Sequence, residues 1–63
     1  MKKLMIIGAG LLQLPAIKKA KELGYVVATV DQNPSAPGIP IADYFYNVST
    51  IDVDGIVAAA KEF

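Results

Sequence analysis

The chain has 63 residues, of which 54% are hydrophobic, and it contains neither cysteine nor histidine. The lack of both residue types excludes a disulfide framework and disfavours a structural zinc site. Six basic and six acidic residues give no net charge, so the positive surface typical of nucleic-acid binding is missing. No apolar run reaches the roughly 18–20 residues of a membrane span. The composition therefore predicts a soluble cytoplasmic protein with neither nucleic acid nor membrane as a partner.

The length allows one small domain, residues 1–63, with a thin hydrophobic core. Below roughly 70–80 residues such a core seldom contributes more than about 3–5 kcal/mol. Because disulfides are excluded and a metal is disfavoured, a partner or a further part of the chain is the remaining source of stability.

Residues 4–30 have the pattern of a strand–helix–strand unit. The continuous apolar run Leu4–Ile7 is typical of a strand that is buried on both faces of a parallel sheet. Apolar residues at helical spacing predict a helix over Leu12–Leu23, and Gly24 suits a left-handed helix end. The second strand is Tyr25–Val30. The apolar face of the predicted helix consists of Ala16, Ile17, Ala20 and Leu23.

The second half of the chain predicts a loop, a strand and a helix. Three prolines and a glycine within "DQNPSAPGIPIAD" exclude a helix there, and "DYFYNV" follows as the third strand. Asp52 is the predicted N-cap of the second helix, with Ile51 packing onto Ile56. The buried face of that helix is predicted to consist of Val53, Ile56, Val57 and Ala60.

The resulting order, β-α-β-β-α, predicts an α/β fold with a three-stranded parallel sheet, a truncated Rossmann-like half. The second helix reaches the end of the chain at Phe63. In α/β folds a helix in that position normally leads into another strand. We therefore expect the chain to be a fragment of a longer protein.

The stretch "IIGAGLLQLP" has part of a dinucleotide-binding fingerprint. Gly8 and Gly10 fill the first two glycine positions, whereas Gln13 stands where the third would fall, and its long side chain should point out of the turn. Asp31 ends the second strand near the position of a ribose-binding acid. Pro15 is tolerated only in the first helical turn, so the helix should not begin much before Leu12.

Three interpretations of this turn remain open from the residues alone. The glycines can form only a tight corner, they can belong to a nicotinamide or flavin site, or they can face a different small ligand at the carboxyl ends of the strands. No nucleophile–base pair or carboxylate pair stands out in the sequence, and there is no P-loop lysine. We therefore predict neither catalytic residues nor metal ligands in this chain.

The order and spacing of these motifs resemble the N-terminal domain of ATP-grasp ligases. The resemblance rests on "KLMIIGAGLLQLPAIKKAKELGYVVATVDQNPSAPG" followed by "IADYFYNVSTID", which together cover almost the whole chain. It is strongest toward carbamoyl-phosphate-synthase-like proteins and the purine-pathway carboxylases and formate-dependent transformylases. The shared features are the Gly-x-Gly turn, the following glutamine, the "KELGY" helix end and the Asp-x-Asn-Pro-x-Ala-Pro segment.

This resemblance implies a Rossmann-like half that forms one wall of the substrate pocket and does not hold ATP. In such ligases ATP and magnesium lie between two later domains, where a carboxylate becomes an acyl phosphate that an amine attacks. The chain would then bind no cofactor, would not be catalytic alone, and would have the remaining ATP-grasp domains as partners. The substrate-binding residues carried over by position are Gly8, Gly10, Leu11, Leu12, Gln13, Asp31 and Asn33.

The sheet order of these ligases, 3-2-1-4, has a further implication for the isolated chain. Without a fourth strand, one edge of the first strand is open, and an open edge invites pairing with another chain. We therefore expect self-association through strand one. The alternative functions are a fragment of an NAD(P)-binding oxidoreductase and a stand-alone binding or assembly module.

Overall fold

The computed structural model describes residues 2–63, and it confirms the predicted α/β fold with a three-stranded parallel sheet. A short 3₁₀ turn precedes the first helix. In chain order the elements are β1 (Lys3–Ile7), the 3₁₀ turn (Leu11–Gln13), α1 (Leu14–Glu22), β2 (Val26–Asp31), β3 (Tyr44–Asn47) and α2 (Val53–Glu62).

Strand β2 lies at the centre of the sheet, between β1 and β3, as the predicted order requires. In the parallel register, Val26 of β2 lies opposite Lys3 of β1, and Ala28 of β2 lies opposite Tyr44 of β3. The central residues of β2, 27–30, are all fully buried. This burial fits the nearly uninterrupted apolar, β-branched composition of the strand.

Strand β1 is an edge strand within residues 2–63, so the prediction that it is buried on both faces is wrong for this chain. Leu4 is 37% exposed and Ile7 is 43% exposed. The sequence pattern describes a strand with two neighbours, whereas only β2 pairs with β1 in the part of the chain that the structure describes.

Helix α1 packs on the face of the sheet that carries Val27, with Ile17 and Ala20 as its buried residues. The other two members of the predicted apolar face, Ala16 and Leu23, are exposed. Pro15 lies in the first turn of α1, where its missing N–H group leaves no carbonyl unpaired. Gly24 follows the helix with a φ of 87°, as predicted for a left-handed helix end.

Helix α2 begins after Asp52, whose Oδ1 accepts a hydrogen bond of 2.9 Å from the Gly55 N–H group. The predicted N-cap is therefore confirmed. At the other end of the helix, the Phe63 ring meets the Tyr44 ring edge-on at 5.6 Å. Because Tyr44 pairs with Ala28, it lies on the opposite face from Val27, so Phe63 at the end of α2 lies on the face of the sheet opposite to α1.

The predicted buried face of α2 is wrong. Val53 is 70% exposed, Val57 is 46% exposed and Ala60 is also exposed, whereas Ala59 is buried and Ile56 is half-buried. A Cβ atom on Gly55 would lie 2.6 Å from Asp52 Oδ2 and 2.7 Å from Val48 Cγ1, so the side of the helix that carries Gly55 lies close to the preceding segment.

The predicted contact of Ile51 with the second helix is not a buried one, because Ile51 is 87% exposed. Neither helix in residues 2–63 has the length and apolar character needed to cross a membrane.

Candidate functional site

The glycine turn lies at the carboxyl end of β1, and its first glycine has a conformation that other residues rarely adopt. Gly8 has a φ of 98°, in the region where a Cβ atom is strained. Its N–H group donates a hydrogen bond of 2.6 Å to the Val30 carbonyl, which ties the turn to the neighbouring strand. The requirement for glycine at position 8 is therefore a property of the backbone.

Gln13 folds back over this turn, and the prediction that its side chain points away is wrong. The Gly10 N–H group donates to Gln13 Oε1 at 3.0 Å, and the Gln13 N–H group donates to the Gly10 carbonyl at 3.1 Å. The physical cause is the start of the helix, where the first N–H groups have no partner within the helix. The carboxamide oxygen satisfies one of them.

Asp31 connects the end of β2 to the same turn. Its Oδ2 accepts a hydrogen bond of 3.0 Å from the Ala9 N–H group, and its Oδ1 accepts one of 2.9 Å from Asn33. The main-chain N–H groups of Asn33 and Ala9 hold the pKa of the Asp31 carboxyl below its usual value, and burial opposes them. Both oxygens of this carboxylate are thus engaged by main chain.

The loop after β2 is held against the turn by a second set of bonds. Asn33 Oδ1 accepts from the Ser35 N–H group at 3.0 Å, and the Gly38 N–H group donates to the Ala9 carbonyl at 2.7 Å. A Cβ atom on Gly38 would lie 2.8 Å from the Ala9 carbonyl oxygen, a main-chain atom that cannot easily move away, so this close approach favours glycine. Sequence reasoning missed Gly38, whose only signal was its place after a proline in the loop.

The structure places all seven predicted site residues at one end of the sheet. Five of them take part in hydrogen bonds of the turn and the loop, whereas Leu11 and Leu12 are 73% and 90% exposed beside the turn. The five are Gly8, Gly10, Gln13, Asp31 and Asn33. Their role in binding a substrate stays a prediction.

Two open clefts lie at the other end of the sheet, near the amino ends of the strands. They measure about 600 Å³ and 460 Å³. An ion pair of 2.6 Å between Lys21 and Asp43 borders the larger one, and the ammonium holds the pKa of the Asp43 carboxyl below its usual value. Asp43 also accepts a hydrogen bond of 2.8 Å from the Val27 N–H group, so it fixes the entry to β3.

The residues of the turn do not fit a dinucleotide. Such a cofactor needs main-chain N–H groups facing its diphosphate, and glycines that leave room for it. Here the Ala9 N–H group is bound by Asp31 and the Gly10 N–H group by Gln13. No cluster of three metal-ligating side chains occurs within residues 2–63. The fold and the turn together define a Rossmann-like α/β domain whose glycine turn is hydrogen-bonded to the side chains of Gln13 and Asp31.

Among solved structures, this chain is similar to N5-carboxyaminoimidazole ribonucleotide synthetase from Thermotoga maritima. The two share 32% sequence identity with a TM-score of 0.87, over 98% of this chain and 17% of that chain. The predicted resemblance to an ATP-grasp ligase, of the purine-biosynthesis carboxylase type, is thereby confirmed. The chain spans about a sixth of the length of that enzyme.

No family model matches the chain, and a search of curated proteins gives no match.

Proposed function

We propose that residues 1–63 form the substrate-side, Rossmann-like domain of an ATP-dependent carboxylate–amine ligase of the ATP-grasp type. In this proposal ATP and magnesium bind to domains outside this chain, and those domains are its partners in a cytoplasmic enzyme. The chain itself performs no catalysis. Carbamoyl-phosphate-synthase-like and purine-pathway carboxylase-like ligases are the two candidate types.

The observation that carries the proposal is the agreement with an N5-carboxyaminoimidazole ribonucleotide synthetase over 98% of this chain at 32% identity. At that identity the likeness extends beyond the fold to the residues. The closed glycine turn supports the same assignment, since it argues against the dinucleotide-binding alternative.

The turn has two properties that suit one wall of a substrate pocket. Gln13 Nε2 donates to no acceptor within residues 2–63, so its two N–H groups are available to a ligand oxygen. Leu11 and Leu12 are exposed beside it, and exposed apolar pairs next to a polar site are typical of surfaces covered by another domain or a ligand. The turn would thus supply a polar contact within an apolar rim.

Reading the coding sequence downstream of codon 63 tests the assignment directly. A glycine-rich hairpin, a lysine and a later pair of magnesium-binding carboxylates would support a ligase. An immediate stop codon would instead favour a stand-alone module. Titration of the 63-residue chain with a nicotinamide dinucleotide is the complementary measurement, and saturable micromolar binding would contradict the proposal.

Kinetics of the full-length ligase would then test the role of the turn. Gln13→Ala should raise the KM of the substrate that meets this domain by about tenfold, the value of one lost hydrogen bond of about 1.4 kcal/mol, and leave the KM for ATP unchanged. Gln32→Ala is the matched control, because Gln32 is exposed in the neighbouring loop. An equal effect of both substitutions, or none, would contradict this role.

We also propose that the isolated chain self-associates through the outer edge of β1. That edge has no partner strand within residues 2–63, and Leu4 and Ile7 are partly exposed along it. Unpaired N–H and C=O groups along an apolar edge favour pairing with a second chain.

Sedimentation of the 63-residue chain at tens of micromolar should therefore show a dimer or larger species. Ile7→Lys should return it to a monomer, because an edge lysine opposes strand pairing. The control variant Ile51→Lys, at an 87% exposed position outside the sheet, should remain associated. A monomeric parent chain would rule the proposal out.

A further inference from the structure

We propose that Gln13 determines the ligand selectivity of the glycine turn, because its own carboxamide occupies the place that a diphosphate would take against the main chain. This inference deepens the proposed function and rests on it for the statement that the turn faces a substrate. Its structural part, the occupation of the turn by Gln13, does not depend on that statement.

The first step is steric. Glycines in a nucleotide-binding turn leave space in which a ligand phosphate approaches the backbone. A Cβ atom on Gly8 would lie 3.2 Å from Gln13 Cδ and 3.4 Å from both carboxamide heteroatoms, and one on Gly10 would lie 3.3 Å from Oε1. The space above both glycines therefore already contains the Gln13 side chain.

The second step concerns the hydrogen-bond donors. The Gly10 N–H group is bound to Gln13 Oε1, and the preceding N–H group, that of Ala9, is bound to the Asp31 carboxylate. A diphosphate would have to break the first bond and would meet a negative charge at the second. Both effects act against an anion pressed onto the turn.

The third step identifies the group of Gln13 that the turn presents to a ligand. Because an N–H group can only donate, the carboxamide atom 3.0 Å from Gly10 N must be the oxygen. The NH₂ group is the remaining end of the carboxamide, and it can meet a ligand oxygen without displacing the side chain. The turn therefore favours a single oxygen acceptor over a diphosphate.

Amide hydrogen exchange of the 63-residue chain, followed by NMR, tests the occupation itself. In Gln13→Ala the Gly10 amide should exchange about tenfold faster than in the parent chain, as expected for the loss of one hydrogen bond. The Ala9 amide, held by Asp31, should keep its rate and so report that the fold is intact. Equal rates for Gly10 in both chains would overturn the proposal.

Titration with inorganic pyrophosphate tests the selectivity. Gln13→Ala and Gln13→Ser should show a saturable shift of the Gly10 amide signal with at least about tenfold tighter binding than the parent chain. Gln13→Glu is the matched control, because it keeps the length of the side chain and an acceptor for Gly10. The proposal is overturned if the parent chain binds as tightly as the two shortened variants, or if neither variant gains binding.

These measurements are independent of the ligase assignment. A failed exchange or titration result removes Gln13 from its selective role and leaves the domain assignment standing. A downstream sequence without ATP-grasp elements would remove the domain assignment and leave the occupation of the turn by Gln13 standing.

Discussion

At the scale of single residues, Thr29 stands out as a fully buried side chain whose hydroxyl has no hydrogen-bond partner within residues 2–63. It lies in the central strand, opposite Ile6 on one side and Phe45 on the other. A buried hydroxyl without a partner loses its hydrogen bonds to water on folding and gains none in return.

We therefore expect Thr29→Val to raise the free energy of unfolding by about 1 kcal/mol, since valine has nearly the same shape and no polar atom to desolvate. Urea denaturation monitored by circular dichroism measures the change. Thr50→Val, the same substitution at an exposed position, should alter the free energy by less than about 0.5 kcal/mol. A destabilised Thr29→Val variant would show that the hydroxyl has a partner in solution.

The Asp31 carboxylate gives the chain a predictable response to acid. Hydrogen bonds from the Asn33 and Ala9 N–H groups lower its pKa in the folded state relative to about 3.9 in an unfolded chain. A lowered folded pKa contributes stability above the unfolded value, and that contribution is lost as the pH falls through the folded pKa. The free energy of unfolding should therefore decrease below about pH 4.

Asp31→Asn should make this decrease shallower, because an asparagine does not titrate. It should also lower the free energy of unfolding at neutral pH, since the NH₂ group of asparagine cannot accept one of the two main-chain hydrogen bonds. Urea denaturation between pH 2 and pH 7 measures both effects, with the pH values chosen to span the carboxylate range. An unchanged slope would mean that Asp31 is not the titrating group.

Among the site residues, sequence reasoning predicted positions better than orientations. Gly8, Gly10 and Asp31 lie where the strand–helix–strand pattern put them, because strand ends are fixed by the apolar runs. The direction of the Gln13 side chain was not predictable, since it depends on an unpaired N–H group at position 10 that exists only once the helix has formed.

At the scale of elements, helix α2 has one feature that depends on neighbouring residues, its start, and one that depends on tertiary contacts, its buried face. Its start was predictable, because an N-cap depends on residues three apart in the sequence. Its buried face was not, because Val53 and Val57 match helical spacing as well as Ala59 does. In the folded chain Gly55, one turn before Ala59, lies close to Val48, and the apolar pattern does not reveal that contact.

Asp52→Ala should lower the free energy of unfolding by about 1 kcal/mol, because the Gly55 N–H group loses its acceptor. Asp52→Asn should be nearly neutral, since asparagine caps helices about as well as aspartate does. Thermal or urea denaturation of the pair measures the difference. Equal stability of the two variants would show that the cap adds little to this helix.

At the scale of the whole molecule, stability rests on a very small core. The cluster of buried residues consists of Ile17, Ala20 and Val27, with partly buried neighbours around it. A chain of this size buries only about 60% of its unfolded surface. The outer edge of β1 stays open in residues 2–63, so no further strand adds to that core.

Ile17→Ala should therefore leave most of the chain unfolded. The loss from a buried isoleucine is about 2–5 kcal/mol, which is comparable with the whole of the about 3–5 kcal/mol available to so small a core. Loss of the circular dichroism signal and of NMR dispersion measures the effect. Ile51→Ala, at a position 87% exposed, should retain both.

The sequence by itself determined the element order, the parallel sheet, the helix cap at Asp52 and the place of the glycine turn, whereas the central position of β2 was implied by the resemblance to ATP-grasp ligases. The features determined by the sequence follow from local patterns, since apolar period, proline, glycine and capping residues act within a few positions along the chain. Only the tertiary structure decided that Gln13 fills the turn, that Gly38 lies against Ile17, and that α2 buries Ala59. The physical reason is that each of these depends on atoms brought together by folding, where a few tenths of an ångström decide which side chain fits.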